Sequence, residues 1–212
     1  MRVTNRYLIE RFGGKVVYKD QLKELAEIFN VNSLDSWINY LITREYIVRI
    51  FRGLYYVKTF EEVFRGTYPE VYRLISMAMN KISAKWYFGL YTALRLNGLT
   101  HEFFTTIFVI NDKIRRPKPI NIAGQKVMFL KIREDLLDFG IKENNMLRFS
   151  DPEKTLLDFA YFALYSSKMR ELYLKTFKEN IPNVDLQKLE NYARRYPNRI
   201  PSAVEALCEK SL

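Results

Sequence analysis

The sequence predicts an α+β protein in two parts. Three observations carry that reading. The stretch from Asp20 to Val57 passes from helical to strand patterning. Residues 105–149 hold several β-branched and aromatic runs separated by turn signals. From Ser150 onward the apolar spacing is helical again. A chain of 212 residues has two domains as its natural prior. The expected division is residues 1–60, then residues 61–212 with a small sheet and C-terminal helices.

Residues 4–12 read as a first helix with Leu8 and Phe12 inward, ended by Gly13-Gly14. Residues 15–18 suit a short strand. A helix starting at Asp20 places Leu22, Leu25, Ala26 and Phe29 at i, i+3, i+4, i+7, on one face. Asn30-Val31-Asn32 interrupts it. Asn32 or Ser33 can cap a second helix, with Asp35 in its first turn, where a carboxylate suits the helix dipole. Leu34, Ile38, Leu41 and Ile42 keep one face of that helix apolar. Asp35, Ser36, Asn39, Tyr40, Thr43 and Arg44 lie mainly on the other. Residues 47–51 and 54–57 are β-branched and aromatic runs around Arg52-Gly53, which predicts a hairpin. Helix, short turn, helix, hairpin is the order of a winged helix-turn-helix, whose second helix enters the DNA major groove.

In that setting Asn39 has the side chain for a bidentate contact to adenine and Arg44 for one to guanine. Ser36 and Tyr40 share their face. Arg49 and Arg52 near the hairpin tip, with Lys15 and Lys19, are placed to hold phosphates.

Residues 59–69 read as a connection, helical around 61–64. Val71, Leu74, Ile75, Ala78, Met79 and Ile82 form a helical stripe. A further helix is expected over 84–97, stopped by Asn97-Gly98. Residues 105–110 form a strand apolar on both faces. The run Arg115-Arg116-Pro117-Lys118-Pro119 is a loop that a sheet interior would not accept. Residues 120–122 and 127–132 are strand candidates joined near Gly124, and 146–149 is a fourth. Ser150-Asp151-Pro152-Glu153 is a strong helix start, with Leu156, Leu157, Ala160, Ala163 and Leu164 inward. Glu153 and Asp158 read as a cap and an early-turn acid near a helix N-terminus. Helices follow over 169–179, ended by Pro182, then over 185–195 and 201–212.

Composition narrows the function. Hydrophobic residues make up 48% and aromatic residues 15%, enough for packed cores and contrary to disorder. The net charge of +10 favours an anionic partner, most often nucleic acid. Residues 1–60 hold ten Lys and Arg against six Asp and Glu, a net +4, so the excess is not confined to that half. Cys208 is the one cysteine, which rules out an intramolecular disulfide and suits a reducing cytoplasm. Beside Val204 and Leu207 it reads as a small buried hydrophobe. No run of 18 apolar residues and no signal-like N-terminus is seen, so no membrane association is expected.

Catalytic signatures are absent from the sequence. His101 is the single histidine and reads as a surface or interface residue. One His and one Cys cannot assemble a usual zinc site. There is no phosphate-cradling glycine loop or dinucleotide fingerprint, so no cofactor is expected. Asp112 with Asp135, Asp138 or Glu143 remains as the nearest thing to a magnesium site.

Three segments carry a resemblance: YIVRIFRGLYYV over 46–57, YFGLYTALRLNGLT over 87–100, and SDPEKTLLDFAYF over 150–162. In this order they resemble the AbiEi-type antitoxins of abortive-infection (type IV) toxin–antitoxin pairs, over roughly residues 6–174. The resemblance implies an N-terminal domain that binds double-stranded operator DNA and represses the protein's own operon. It implies a C-terminal domain that counteracts a nucleotidyltransferase-like toxin without a stable complex. Arg49 and Arg52 would correspond to the family's basic wing. The expectation is a non-enzymatic, cytoplasmic DNA-binding repressor and antitoxin. Its rivals are a module whose N-terminal domain binds protein, and a metal-dependent nucleic-acid enzyme.

Overall fold

The structure is a computed structural model that describes residues 3–67, 69–144 and 147–208. It is an α+β fold. The chain divides into two compact units, residues 1–84 with 121–125, and residues 85–120 with 126–212.

The first unit runs α1 (Val3–Phe12), β1 (Val16–Tyr18), α2 (Lys19–Ile28), α3 (Leu34–Thr43), β2 (Ile47–Phe51), β3 (Leu54–Val57), α4 (Phe60–Arg65) and α5 (Val71–Lys81). Its strands form an antiparallel sheet in the order β1-β3-β2. Leu8, Leu22, Leu25, Trp37, Leu41 and Tyr55 bury together as one core. α1 ends where Gly14 takes a φ of +78°, which a side chain would resist. Ser33 caps α3, its hydroxyl accepting the Ser36 N–H. Trp37 joins Ile38 and Leu41 on the buried face of α3, a position the apolar stripe in the sequence left out. Thr59 and Glu62 form a reciprocal capping box on α4, and Glu62 also accepts the Tyr56 hydroxyl. On α5, Leu74, Ile75, Ala78 and Met79 are buried, as their spacing predicts. The unit thus continues well past residue 60.

The second unit holds β4 (Trp86–Phe88), α6 (Leu90–Leu96), β5 (Thr106–Asn111), β6 (Ile120–Ile122), β7 (Gln125–Lys131), β8 (Ile141–Asn144), β9 (Leu147–Ser150), α7 (Pro152–Tyr165), α8 (Arg170–Asn180), α9 (Leu186–Ala193) and α10 (Arg199–Cys208), with the tip between β6 and β7 counted in the first unit. The strands form a mixed six-stranded sheet in the order β6-β7-β5-β4-β9-β8.

Here the structure departs from the sequence expectation. The helix expected over 84–97 is a strand, Trp86–Phe88, followed by a shorter helix. All three aromatics are buried, because β4 lies inside the sheet between β5 and β9. Gly89 makes the transition. A Cβ there would collide with the Ile110 side chain, so only glycine lets the chain pass so close to β5. The second departure is β8, an edge strand pairing antiparallel with β9, where no strand was expected. The expected start of β9 at Met146 lies outside the described residues, as does the side chain of Cys208.

α7 is the central helix of this unit. Asp151 caps it by accepting the Lys154 N–H at 2.9 Å, and Pro152 opens it. Nearly every side chain of its first three turns is buried, including Glu153, Lys154, Thr155 and Asp158. Leu164, expected inward, is exposed.

Candidate nucleic-acid interface

α3 and the β2–β3 hairpin carry most of the residues that the sequence singled out. Burial of Trp37, Ile38 and Leu41 fixes the rotation of α3 and leaves Ser36, Asn39, Thr43 and Arg44 exposed. Tyr40 is half-buried. Its hydroxyl accepts the Asn5 side-chain amide of α1 at 3.3 Å, and its ring leans on Tyr46. Ser36 is drawn into the cap, its hydroxyl accepting that of Ser33 at 3.0 Å. Asn39 and Arg44 are therefore the freer polar side chains on this face, with Tyr40 and Ser36 partly committed to the fold.

In the hairpin, Arg49 is the exposed residue of an otherwise buried strand. It pairs across the ladder with Tyr55, over whose ring its guanidinium lies at 5.7 Å. A register shift between Arg49 and Phe51 twists the strand just before the turn. Arg52 is exposed in that turn, beside Gly53 at a φ of +82°. The two arginines thus occupy the outer strand and the tip of one hairpin.

Lys15 is exposed at the end of the α1–β1 connection. Lys19 is not a free cation. Its ammonium meets Asp35 at 2.7 Å, joining the first turns of α2 and α3. That hydrogen bond, with the charge behind it, holds the Asp35 carboxyl below its ordinary range. Lys58, fully buried, lies 3.6 Å from the Glu45 carboxylate, which follows α3 at a positive φ. One cation expected at the surface is thus matched by the acid beside it, and Lys58 serves the interior. The Lys19–Asp35 pairing is not legible in the sequence, because it depends on how two helices meet.

The acids of the metal-enzyme alternative are otherwise engaged. Asp112 accepts the Lys85 N–H, Asp135 pairs with Arg133, Asp138 with Arg195, and Glu143 with Arg148. Among the described residues no group of three or more His, Cys, Asp or Glu is arranged to hold a metal ion. His101 is exposed in the loop after α6. Among the described residues no helix is long and apolar enough to cross a membrane.

No family model and no curated protein sequence matches the chain. Among solved structures it is similar to the RV2827C protein from Mycobacterium tuberculosis. The TM-score is 0.59 at 16% identity, covering 98% of this chain and 75% of that one. At that identity the likeness shows the fold alone. The class so defined is an α+β protein of two compact units.

Proposed function

We propose that this chain is a DNA-binding transcriptional repressor whose first unit is a winged helix-turn-helix. Its α3 would enter the major groove and its β2–β3 hairpin would act as the wing. One observation carries the reading: an exposed polar face on α3 and exposed Arg49 and Arg52 on the following hairpin belong to one small unit. Asn39 and Arg44 would read base edges. Arg49, Arg52 and Lys15 would contact phosphate. Lys19, also expected on phosphate, would contribute less than these because it is shared with Asp35.

The resemblance to AbiEi-type antitoxins supports a further part of this reading. The chain would repress its own operon and counteract a nucleotidyltransferase-like toxin encoded beside it, in a cytoplasmic setting and without chemistry of its own. A reporter placed behind the DNA upstream of the chain's own gene tests repression. Coexpression with the neighbouring gene tests protection. Repression lost with Arg49→Ala/Arg52→Ala, and growth rescued by the chain, support the two parts separately. An unrepressed reporter defeats the first, and unrescued growth the second.

A further inference from the structure

The second unit contains a groove of about 700 Å³ between the β5–β6 loop, β7, and the ends of α7 and α8. Five cations line it: Arg115, Arg116, Lys118, Lys131 and Lys168. No carboxylate does so among the described residues, although the chain holds 24 Asp and Glu. All five cations are exposed, and none forms an ion pair among the described residues. Lys168 alone has a ready local explanation, since the C-terminal end of α7 attracts a positive charge. That explanation does not reach Arg115, Arg116 and Lys118 in the opposite loop. Pro117 and Pro119 restrict that loop, and Arg116 N–H donates to the Phe129 carbonyl of β7 at 3.1 Å.

The floor of the groove is apolar and aromatic. Met128 and Leu130 of β7 and Tyr161 of α7 contribute to it. Tyr165, at the last turn of α7, is 68% exposed. Its ring leans against that of Tyr161, with centroids 4.9 Å apart and planes tilted by 50°. An exposed aromatic ring beside arginines without ion pairs among the described residues has the chemistry of a stacking platform with an electrostatic rim.

We propose that this groove holds a single-stranded nucleic-acid segment, with a base stacked on Tyr165 and its phosphates on the arginine-rich loop. Duplex DNA suits the groove less well, because its bases are already stacked and cannot meet the ring. The site lies within the second unit and does not depend on duplex binding by α3 and the hairpin.

Fluorescence anisotropy on the full chain tests this. The probes are labelled mixed-sequence RNA and DNA single strands about 12 nucleotides long, within known single-strand site sizes. A duplex of the same sequence and an inorganic polyphosphate competitor complete the set. In the Arg49→Ala/Arg52→Ala background, which removes the proposed duplex contacts, single strands are expected to bind in preference to the duplex and to survive polyphosphate. Arg115→Ala/Arg116→Ala should weaken binding about tenfold or more and lower the salt slope by about 1.4. Tyr165→Ala should weaken it about tenfold, with Tyr165→Phe close to the parent. Arg49→Ala/Arg52→Ala should weaken single-strand binding less than Arg115→Ala/Arg116→Ala does. Absence of single-strand binding overturns the proposal. So does binding that Tyr165→Ala leaves intact, which would mark a plain polyanion surface, or binding lost only in the hairpin variant.

Discussion

Lys154 Nζ and Asp158 Oδ1 stand 3.5 Å apart on successive turns of α7, with both side chains fully buried. Tyr196 donates to Asp158 Oδ1 at 2.6 Å, and Tyr87 donates to its other oxygen at 2.8 Å. The ammonium donates to the Tyr196 hydroxyl at 3.1 Å and lies 4.4 Å from the centre of the Phe139 ring. Burial pushes the Asp158 carboxyl up and the Lys154 ammonium down, while each pulls the other back toward its charged form. One charge without the other would be stranded. Asp158→Ala should therefore cost about 3–5 kcal/mol, and Lys154→Met/Asp158→Leu less than that. Urea denaturation of the three proteins checks this. A double variant worse than Asp158→Ala would contradict it.

Gly140 approaches the same lysine closely. It sits at a φ of +62°, and a Cβ there would lie 2.9 Å from both Lys154 Cβ and the Tyr192 ring. Gly140→Ala should cost about 2–4 kcal/mol, combining left-handed strain with overpacking. A thermal midpoint equal to the parent's would show that the backbone relaxes at little cost.

Glu153 makes the docking of α9 on α7 sensitive to acid. Burial raises its pKa, but the Lys188 ammonium at 2.7 Å and the Asp185 N–H at 3.1 Å together bring it below the ordinary value. A depressed carboxylate contributes stability that is complete above its unfolded pKa and fades as pH falls through the folded one. Stability should therefore decline below about pH 4.5. Glu153→Gln should flatten the decline and cost about 1–2 kcal/mol at neutral pH, allowing for Lys188's partial exposure. Denaturation across pH 3–7 reads both. Parallel pH profiles would contradict the assignment.

The Lys19–Asp35 pair predicts an asymmetry in DNA affinity. Asp35→Ala removes a negative charge from the face of α3 and frees Lys19. It should tighten duplex binding severalfold at low salt, whereas Lys19→Ala should weaken it less than Arg52→Ala does. Titrations at two salt concentrations decide. A loss of affinity in Asp35→Ala would mean that the pair is needed to set the helix angle.

Most elements were legible because their signals are local. Ser33 caps α3 where Asn32 or Ser33 was expected, Asp151 caps α7 within the Ser150–Glu153 start, and Arg52-Gly53 turns the hairpin. β4 was not legible. A strand buried on both faces loses its alternation, and Tyr91 and Leu94 beyond it invite the helical stripe to be extended backward. β8, Ile-Lys-Glu-Asn, is an exposed edge with one apolar residue and no period to read. Asp158 looked like an early-turn acid stabilised by the helix dipole. Its actual partners, Tyr87 and Tyr196, are distant in sequence and meet it only in the folded unit. The groove was hidden for the same reason. Arg115-Arg116-Pro117-Lys118-Pro119 read simply as a loop, and nothing in the sequence set Tyr165 opposite it.

The proposed hold of α3 and the β2–β3 hairpin on duplex DNA is open to direct test. The most direct measurement is a mobility-shift titration against DNA from just upstream of the chain's own gene, with excess unrelated duplex. Two salt concentrations and the Arg49→Ala/Arg52→Ala variant complete it. Specific binding is expected that the variant loses, with a salt slope smaller by about 1.8. Asn39→Ala should relax preference at one base pair while keeping general affinity. Binding indifferent to sequence and to the arginines, or no binding at all, would contradict it.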